Sequence, residues 1–236
     1  MSRLMSRPPL LISFSGVDGS GKSTQIANLL EALHSAHWNA RLITFWDDVV
    51  VGVKYREGFV HQVYRSERGV GAPGKPVNRR DKNVRGWYLT IARHLLYFMD
   101  ALNLRRIVNR ERRRADTDVI VFDRYIYDEL SNLDMSNPLS RAFVRLVRRL
   151  VPRPDIAYLL DADPTAAYAR KPEYPVDFMR KCRQSYFDLA GLLGNLTIIP
   201  ALSLPEAKAA VLECLQEQLM AGICSADFKP SRLKAA

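Results

Sequence analysis

Gly16-Val17-Asp18-Gly19-Ser20-Gly21-Lys22-Ser23 is the stretch on which the reading of this chain turns. It fits the pattern G-x-x-x-x-G-K-[ST] in full. The apolar run Leu10–Phe14 precedes it and reads as a buried strand. Ser23–Ser35 follows, with Ile26, Leu29, Leu30 and Leu33 at helical spacing. A glycine-rich turn between such a strand and such a helix lets successive backbone N–H groups point inward and wrap an anion. The helix start adds its positive dipole end. Lys22 offers a point charge to outer phosphates, and Ser23 a hydroxyl to Mg2+. Gly16, Asp18, Gly19, Ser20, Gly21, Lys22, Ser23 and Thr24 are therefore the expected nucleotide-binding residues.

A second acidic position completes the pattern. Val119–Phe122 is apolar throughout, as a central parallel strand should be, and runs into Asp123-Arg124-Tyr125. A carboxylate at the end of a buried strand lies at the edge of the sheet where ligands bind, so Asp123 is the candidate partner of Ser23 on Mg2+. Arg124 then falls beside the phosphates, where its planar fork suits a phosphoryl group; the alternative is a salt bridge to a neighbouring acid. Asp18, inside the loop itself, would repel a polyphosphate. It acts as a base, organises the acceptor, or stiffens the turn.

Outward from the loop, short apolar runs alternate with longer amphipathic ones, the signature of a parallel sheet with helices on both faces. The further strands expected are Arg41–Phe45, Ile156–Leu160 and Leu196–Ile199. The further helices are Trp87–Arg113, Ser140–Leu150, a short one at Thr165–Ala169, Asp177–Leu193 and Pro205–Met220. Trp46–Gly86 breaks the pattern as a long, basic, glycine-punctuated loop, a length that usually marks function. No linker divides the chain, so residues 1–236 read as one three-layer α/β domain of five parallel strands.

Composition narrows the partners. Lys and Arg number 35 against 25 Asp and Glu, a net charge of +10 that points to an anionic ligand. No DNA- or RNA-binding motif accompanies it, so nucleic acid is not expected. Cys182, Cys214 and Cys224 form no C-x-x-C pair, against a zinc site or disulfide framework. No apolar run approaches the ~18 residues of a membrane span, and no signal peptide is read at the start. A cytoplasmic protein without membrane contact is expected. The long helix at 87–113 carries an apolar face suited to pairing two copies as a homodimer.

Phe14–Gln25 resembles the opening of thymidylate kinases, and Asp123-Arg124-Tyr125 resembles their DRY/DRH motif. Arg153-Pro154-Asp155, running into Tyr158–Pro164, looks like their fourth strand and the turn after it. The resemblance implies a P-loop NTPase fold with strand order 2-3-1-4-5, ATP with Mg2+ as donor, and a nucleoside monophosphate, dTMP by default, as acceptor. It also implies a short lid over residues 168–176, in which Arg170 and Lys171 supply positive charge to the transferring phosphoryl group. Arg180 and Arg183 are second choices, with a solvated helix face as the plainer reading. Lys22, Arg124, Arg170, Lys171 and Asp18 are thus the expected catalytic set. Asp47, Arg93, Arg124 and Tyr125 are the expected acceptor contacts, in a pocket between the 46–86 loop and the long helix.

Three segments depart from the family pattern. Trp46-Asp47-Asp48-Val49-Val50 keeps an acid but lacks the family's Pro-Gly-Gly turn, Asp100-Ala101 stands for Asp-Arg, and Pro200-Ala201 replaces an acidic position. They leave two other readings open: a kinase of the same fold acting on another phosphorylated acceptor, and an ATP-binding regulatory module.

Overall fold

The computed structural model describes residues 8–52 and 87–224. Its strands are β1 Leu10–Ser15, β2 Ala40–Thr44, β3 Val119–Asp123, β4 Ile156–Leu160 and β5 Thr197–Ile199. They pair in the order β2-β3-β1-β4-β5, and each pairing is parallel. The helices are α1 Lys22–Ser35, α2 Trp87–Glu111, α3 Ile126–Leu130, α4 Pro138–Leu150, α5 Pro164–Arg170, α6 Val176–Leu193 and α7 Leu204–Cys224.

Side chains alternate across a strand, and the two faces of the sheet separate accordingly. Leu11, Ile43, Ile120, Phe122 and Ala157 pack with α2, α3, α4 and α6. Ile12, Phe14, Val119, Val121, Tyr158 and Leu160 pack with α1 and α7. A third cluster joins Val17 of the glycine loop to α5 and α6 through Ala167, Met179 and Tyr186.

Local chemistry sets the helix ends. Asn137 accepts from the Leu139 N–H at 2.9 Å with Pro138 in the first position of α4. Asp163 does the same for α5, accepting from Thr165 and Ala166 at 3.0 and 2.9 Å ahead of Pro164. Gly194, at φ 64°, ends α6.

The sequence pattern missed two elements: α3, and a wide π-type turn over Phe45–Val49. That turn occupies the start of the expected 46–86 loop, most of which lies outside the described residues. Two side chains of α2 hold its exit. Val51 N–H donates to Asp100 Oδ1 at 2.7 Å, and Asn103 Nδ2 donates to the Val49 carbonyl at 2.7 Å.

Phe14, Asp123 and Thr44 lie in register. The loops after β1, β2 and β3 therefore leave the sheet along one edge, joined by the loop after β4. The carboxyl edge of such a sheet is where ligands sit.

Candidate active site

Residues 16–22 turn from β1 into α1, and close packing explains two of the glycines. Gly16 has φ 140°, and a Cβ there would strike the Leu160 carbonyl of β4. Gly19 has φ 79°, and a Cβ there would meet the Ala167 carbonyl of α5 at 2.6 Å. Both positions demand glycine by backbone conformation and by space.

Lys22 is buried on the first turn of α1. Its Nζ donates to the carbonyls of Gly16 and Val17 at 2.9 and 2.8 Å, which holds the loop in shape. Burial, reinforced by the Arg124 charge and opposed by Asp18, Asp128 and Asp123, pulls its pKa down to about 8. Ser20 is nearly buried in the loop, while Ser23 and Thr24 are exposed on the first turn of α1. Asp123 is half-buried at the end of β3, close enough to act on the Lys22 charge.

Asp18 does not simply stiffen its own turn: its carboxylate pairs with the Arg124 guanidinium. Burial would raise the Asp18 pKa, but the charges of Arg124, Lys22 and Lys171 outweigh it and hold the carboxyl below its ordinary value. Arg124 has a backbone φ of 68°, uncommon for a residue with a side chain, and its N–H donates to the Phe14 carbonyl at 2.9 Å. Its second prong, Nη1, donates to Asp128 Oδ1 at 2.8 Å. Burial works against the Arg124 charge, and Asp128, Tyr186 and Asp18 more than restore it, so its pKa lies above the ordinary arginine value. Of the two readings of Arg124, the structure shows the salt bridge, made to Asp18 of the glycine loop and to Asp128.

Sequence reasoning missed Asp128. Ser15 Oγ donates to its Oδ2 at 2.6 Å, Tyr186 OH to its Oδ1 at 2.7 Å, and Tyr125 N–H to its Oδ2 at 3.3 Å. A small signal existed, since an acid in the first turn of a helix suits the dipole, but α3 itself was not visible.

The other expected contacts divide. Tyr125 is no cleft residue. It is fully buried, with its ring against Phe122 and Tyr127 and its hydroxyl donating to the Pro152 carbonyl, so its side chain belongs to the core. Asp47 is exposed in the turn after β2, and Arg93 sits half-buried on α2. Arg170 is exposed at the end of α5, its Nε donating to the Ala166 carbonyl at 3.2 Å, and Lys171 pairs with Glu173 at 3.2 Å. Arg180 pairs with Asp177 in solvent. Arg183 is more than a solvated residue: it grips Asp161, at the end of β4, through two bonds of 2.6 and 2.7 Å. That pin ties α6 to the sheet edge.

On the β4–β5 side of the loop lies a cavity of about 460 Å3, lined in part by Ser20, Gln25, Asp161, Arg170, Pro200 and Leu204. Two of these lining residues are joined directly, Gln25 Nε2 donating to the Leu204 carbonyl at 3.1 Å.

Among the described residues no group of three or more His, Cys, Asp or Glu gathers as a metal cage. Ser23 and Asp123 instead offer hard oxygen donors beside an anion cradle. Mg2+, which keeps several waters and takes the rest of its ligands from few carboxylates and substrate phosphates, suits such a pair. No described helix is long and apolar enough to cross a membrane.

No protein-family model matches the chain. A "Probable thymidylate kinase" of Pyrobaculum aerophilum is 35% identical over 100 residues, 39% of this chain and 50% of the relative, so the chain spans only half of that protein's length. Proteins described by the same words match further along the chain at lower identity. That of Methanosphaera stadtmanae is 24% identical over 81% of this chain and 89% of its own. That of Pyrococcus abyssi is 24% identical over 89% and 97%. Among solved structures, thymidylate kinase from Ehrlichia chaffeensis superposes with a TM-score of 0.56 at 17% identity, over 89% of this chain and 99% of that one. Thymidylate kinase from Candida albicans gives 0.58 at 19% identity, over 90% and 93%. At such identities the structures speak for the fold, and the sequences for kinship along most of the chain. The chain is thus similar in sequence to proteins described as thymidylate kinases along most of its length, and it shares the fold of solved thymidylate kinases.

Proposed function

We propose that the chain, as one domain, transfers the γ-phosphoryl group of ATP to a nucleoside monophosphate, dTMP being the acceptor its relatives' names suggest. One observation carries the reading: the buried Lys22 and the doubly paired Arg124 flank Asp18 at the mouth of the glycine loop. Two fixed cations against backbone N–H groups is an arrangement for stabilising charge on a transferring phosphoryl group. The loop cradles the donor's phosphates, and Lys22 draws charge from the outer ones. The cavity beside Ser20 and Arg170 has room for the rest of the nucleotide, its volume falling in the ordinary range for small-molecule sites. Ser23 and Asp123 would hold Mg2+, which supplies neutralisation of charge on the phosphate oxygens.

Arg124 lies where donor and acceptor phosphates meet, and Arg170 and Lys171 approach from the lid side. The protein makes no covalent bond: it positions an in-line displacement and excludes water. Asp47 and Arg93, from the edge of β2 and from α2, frame the acceptor side. A cytoplasmic setting, small-molecule partners without nucleic acid, and a homodimer through α2 belong to the same proposal.

The test is phosphoryl transfer from ATP–Mg2+ to a panel of dTMP, dUMP, CMP, UMP, AMP and GMP, with Lys22→Ala as control. Transfer to dTMP that falls at least about 10²-fold in the variant is expected. ATP binding without transfer to any of the six would overturn the reading.

A further inference from the structure

Asp128 is 2% exposed at its side chain, yet the phosphate-transfer reading gives it no task. All its acceptor capacity is directed. Oδ2 takes the Ser15 hydroxyl of β1 and the Tyr125 N–H, and Oδ1 takes the Tyr186 hydroxyl of α6 and the Arg124 guanidinium. Three elements thus fix one buried carboxylate, which in turn holds one prong of an arginine whose backbone is kept at positive φ. The other prong meets Asp18, which is 28% exposed and rides on the phosphate loop. Arg124 has a fixed end and an open end.

A flexible arginine loses rotamer freedom when it grips a phosphate, and an anchor that removes the freedom beforehand lowers that cost. A buried, hydrogen-bonded carboxylate makes such an anchor only when every lone pair is used, as it is here. The half-exposed Asp18 is the partner a phosphoryl oxygen can displace, because exchanging one anion for another at the accessible prong leaves the buried pair intact.

We propose that Asp128 is a positioning residue for Arg124. It holds Nη1 so that Nη2 passes from Asp18 to a phosphate oxygen without the side chain reorienting, and Tyr186 and Ser15 hold Asp128. The proposal rests on the phosphoryl-transfer reading of the site but names a residue outside the loop and the Asp123-Arg124-Tyr125 motif.

A double-mutant cycle on the full chain decides it. Asp128→Asn keeps shape and removes the charge. It is expected to lower kcat at least tenfold, with KM for ATP changed less than threefold. In an Arg124→Ala background the same change is expected to cost less than twofold, because nothing is left to position. A merely structural Asp128 would lower the melting temperature and leave kcat per folded molecule alone, or act as strongly without Arg124; either result overturns the proposal. If Asp128→Asn does not fold, Tyr186→Phe takes its place, since it removes one bond and no charge. A fall in kcat of threefold or more that vanishes in the Arg124→Ala background supports the tether, and an unchanged kcat overturns it. Should the wild-type chain bind ATP yet transfer to no acceptor, the functional reading fails and the proposal resting on it fails with it; a wild-type chain that does transfer, matched per folded molecule by Asp128→Asn, overturns the proposal alone.

Discussion

At the scale of single residues, the site is a problem of charges brought close together. Lys22 and Arg124 repel each other, and burial disfavours both, so the lysine yields: its pKa falls to about 8, while Arg124 keeps its charge between two carboxylates. A bound polyphosphate reverses the balance for Lys22 by supplying the counter-charge. Binding ATP should therefore take up a proton once the pH passes about 8, and ATP affinity should fall by up to tenfold per unit between that point and 10.5, the ordinary lysine value. Folding has the opposite sign. The unfolded chain keeps the lysine proton up to 10.5, so in the same window the unfolded state binds more protons and stability rises with pH. Calorimetry of ATP binding at several pH values, in two buffers of different ionisation enthalpy, reads the proton uptake directly. A flat profile in the wild type, or the same slope in Lys22→Ala, would remove Lys22 from the binding linkage. Gly16 and Gly19 belong to this scale too. Their letters spelled out the loop, but the reason each must be glycine, a carbonyl of β4 and another of α5, lies in packing that no local pattern carries.

At the scale of elements, legibility follows from how locally an element is determined. The buried strands announced themselves, because a parallel strand covered on both faces carries an unbroken apolar run: Ile156–Leu160 was read to its exact ends. The five residues of α3 did not. One turn and a half is too short for periodicity, and Tyr125 at its start is no capping letter. With α3 hidden, Asp128 was hidden as well, since its partners Ser15 and Tyr186 stand 113 and 58 residues away in the chain. The same reasoning separates Arg183 from Arg180. Both read as helix surface, and only the β4 edge, distant in sequence, turns one of them into a pin. The short helix α5 was legible because its start is written locally in Asp163-Pro164. It is capped, packed through Ala167 on the backbone of Gly19, and ends in Arg170 at the cavity beside the glycine loop. A cation so placed should act on charge that develops during transfer more than on the bound ground state. Arg170→Ala is expected to lower kcat by about 10²-fold with ATP affinity changed less than threefold. Stopped-flow turnover set beside equilibrium ATP titration checks this, and an equal loss in both would make Arg170 a plain binding residue.

At the scale of the whole molecule, the long helix α2 also carries an apolar surface with no use inside the fold. Ile91, Leu95, Met99 and Leu102 lie within one face of α2, the first two 59% and 58% exposed, and the exposed Leu139 and Leu146 lie on α4, which packs beside it. Covering these six side chains on two copies would be worth on the order of 13 kcal/mol. That falls inside the roughly 4–15 kcal/mol that association costs, so the stripe supports a weak pair rather than a permanent one. Charge sharpens the expectation. Each copy carries +10, and Arg105, Arg106 and Arg110 lie toward the C-terminal end of the same helix, so like charges oppose the pairing until salt screens them. Association should strengthen from low to moderate ionic strength, the reverse of what counterion release gives a nucleic-acid complex. Sedimentation at increasing protein concentration should show a dimer forming in roughly the micromolar range, promoted by salt. Leu95→Glu, which sets a charge in the middle of the stripe, should stay monomeric while keeping its transfer activity, because the substitution lies on the outer face of α2. A wild-type chain that remains monomeric at about 100 μM in moderate salt, far above that range, would show that two copies do not pair through α2.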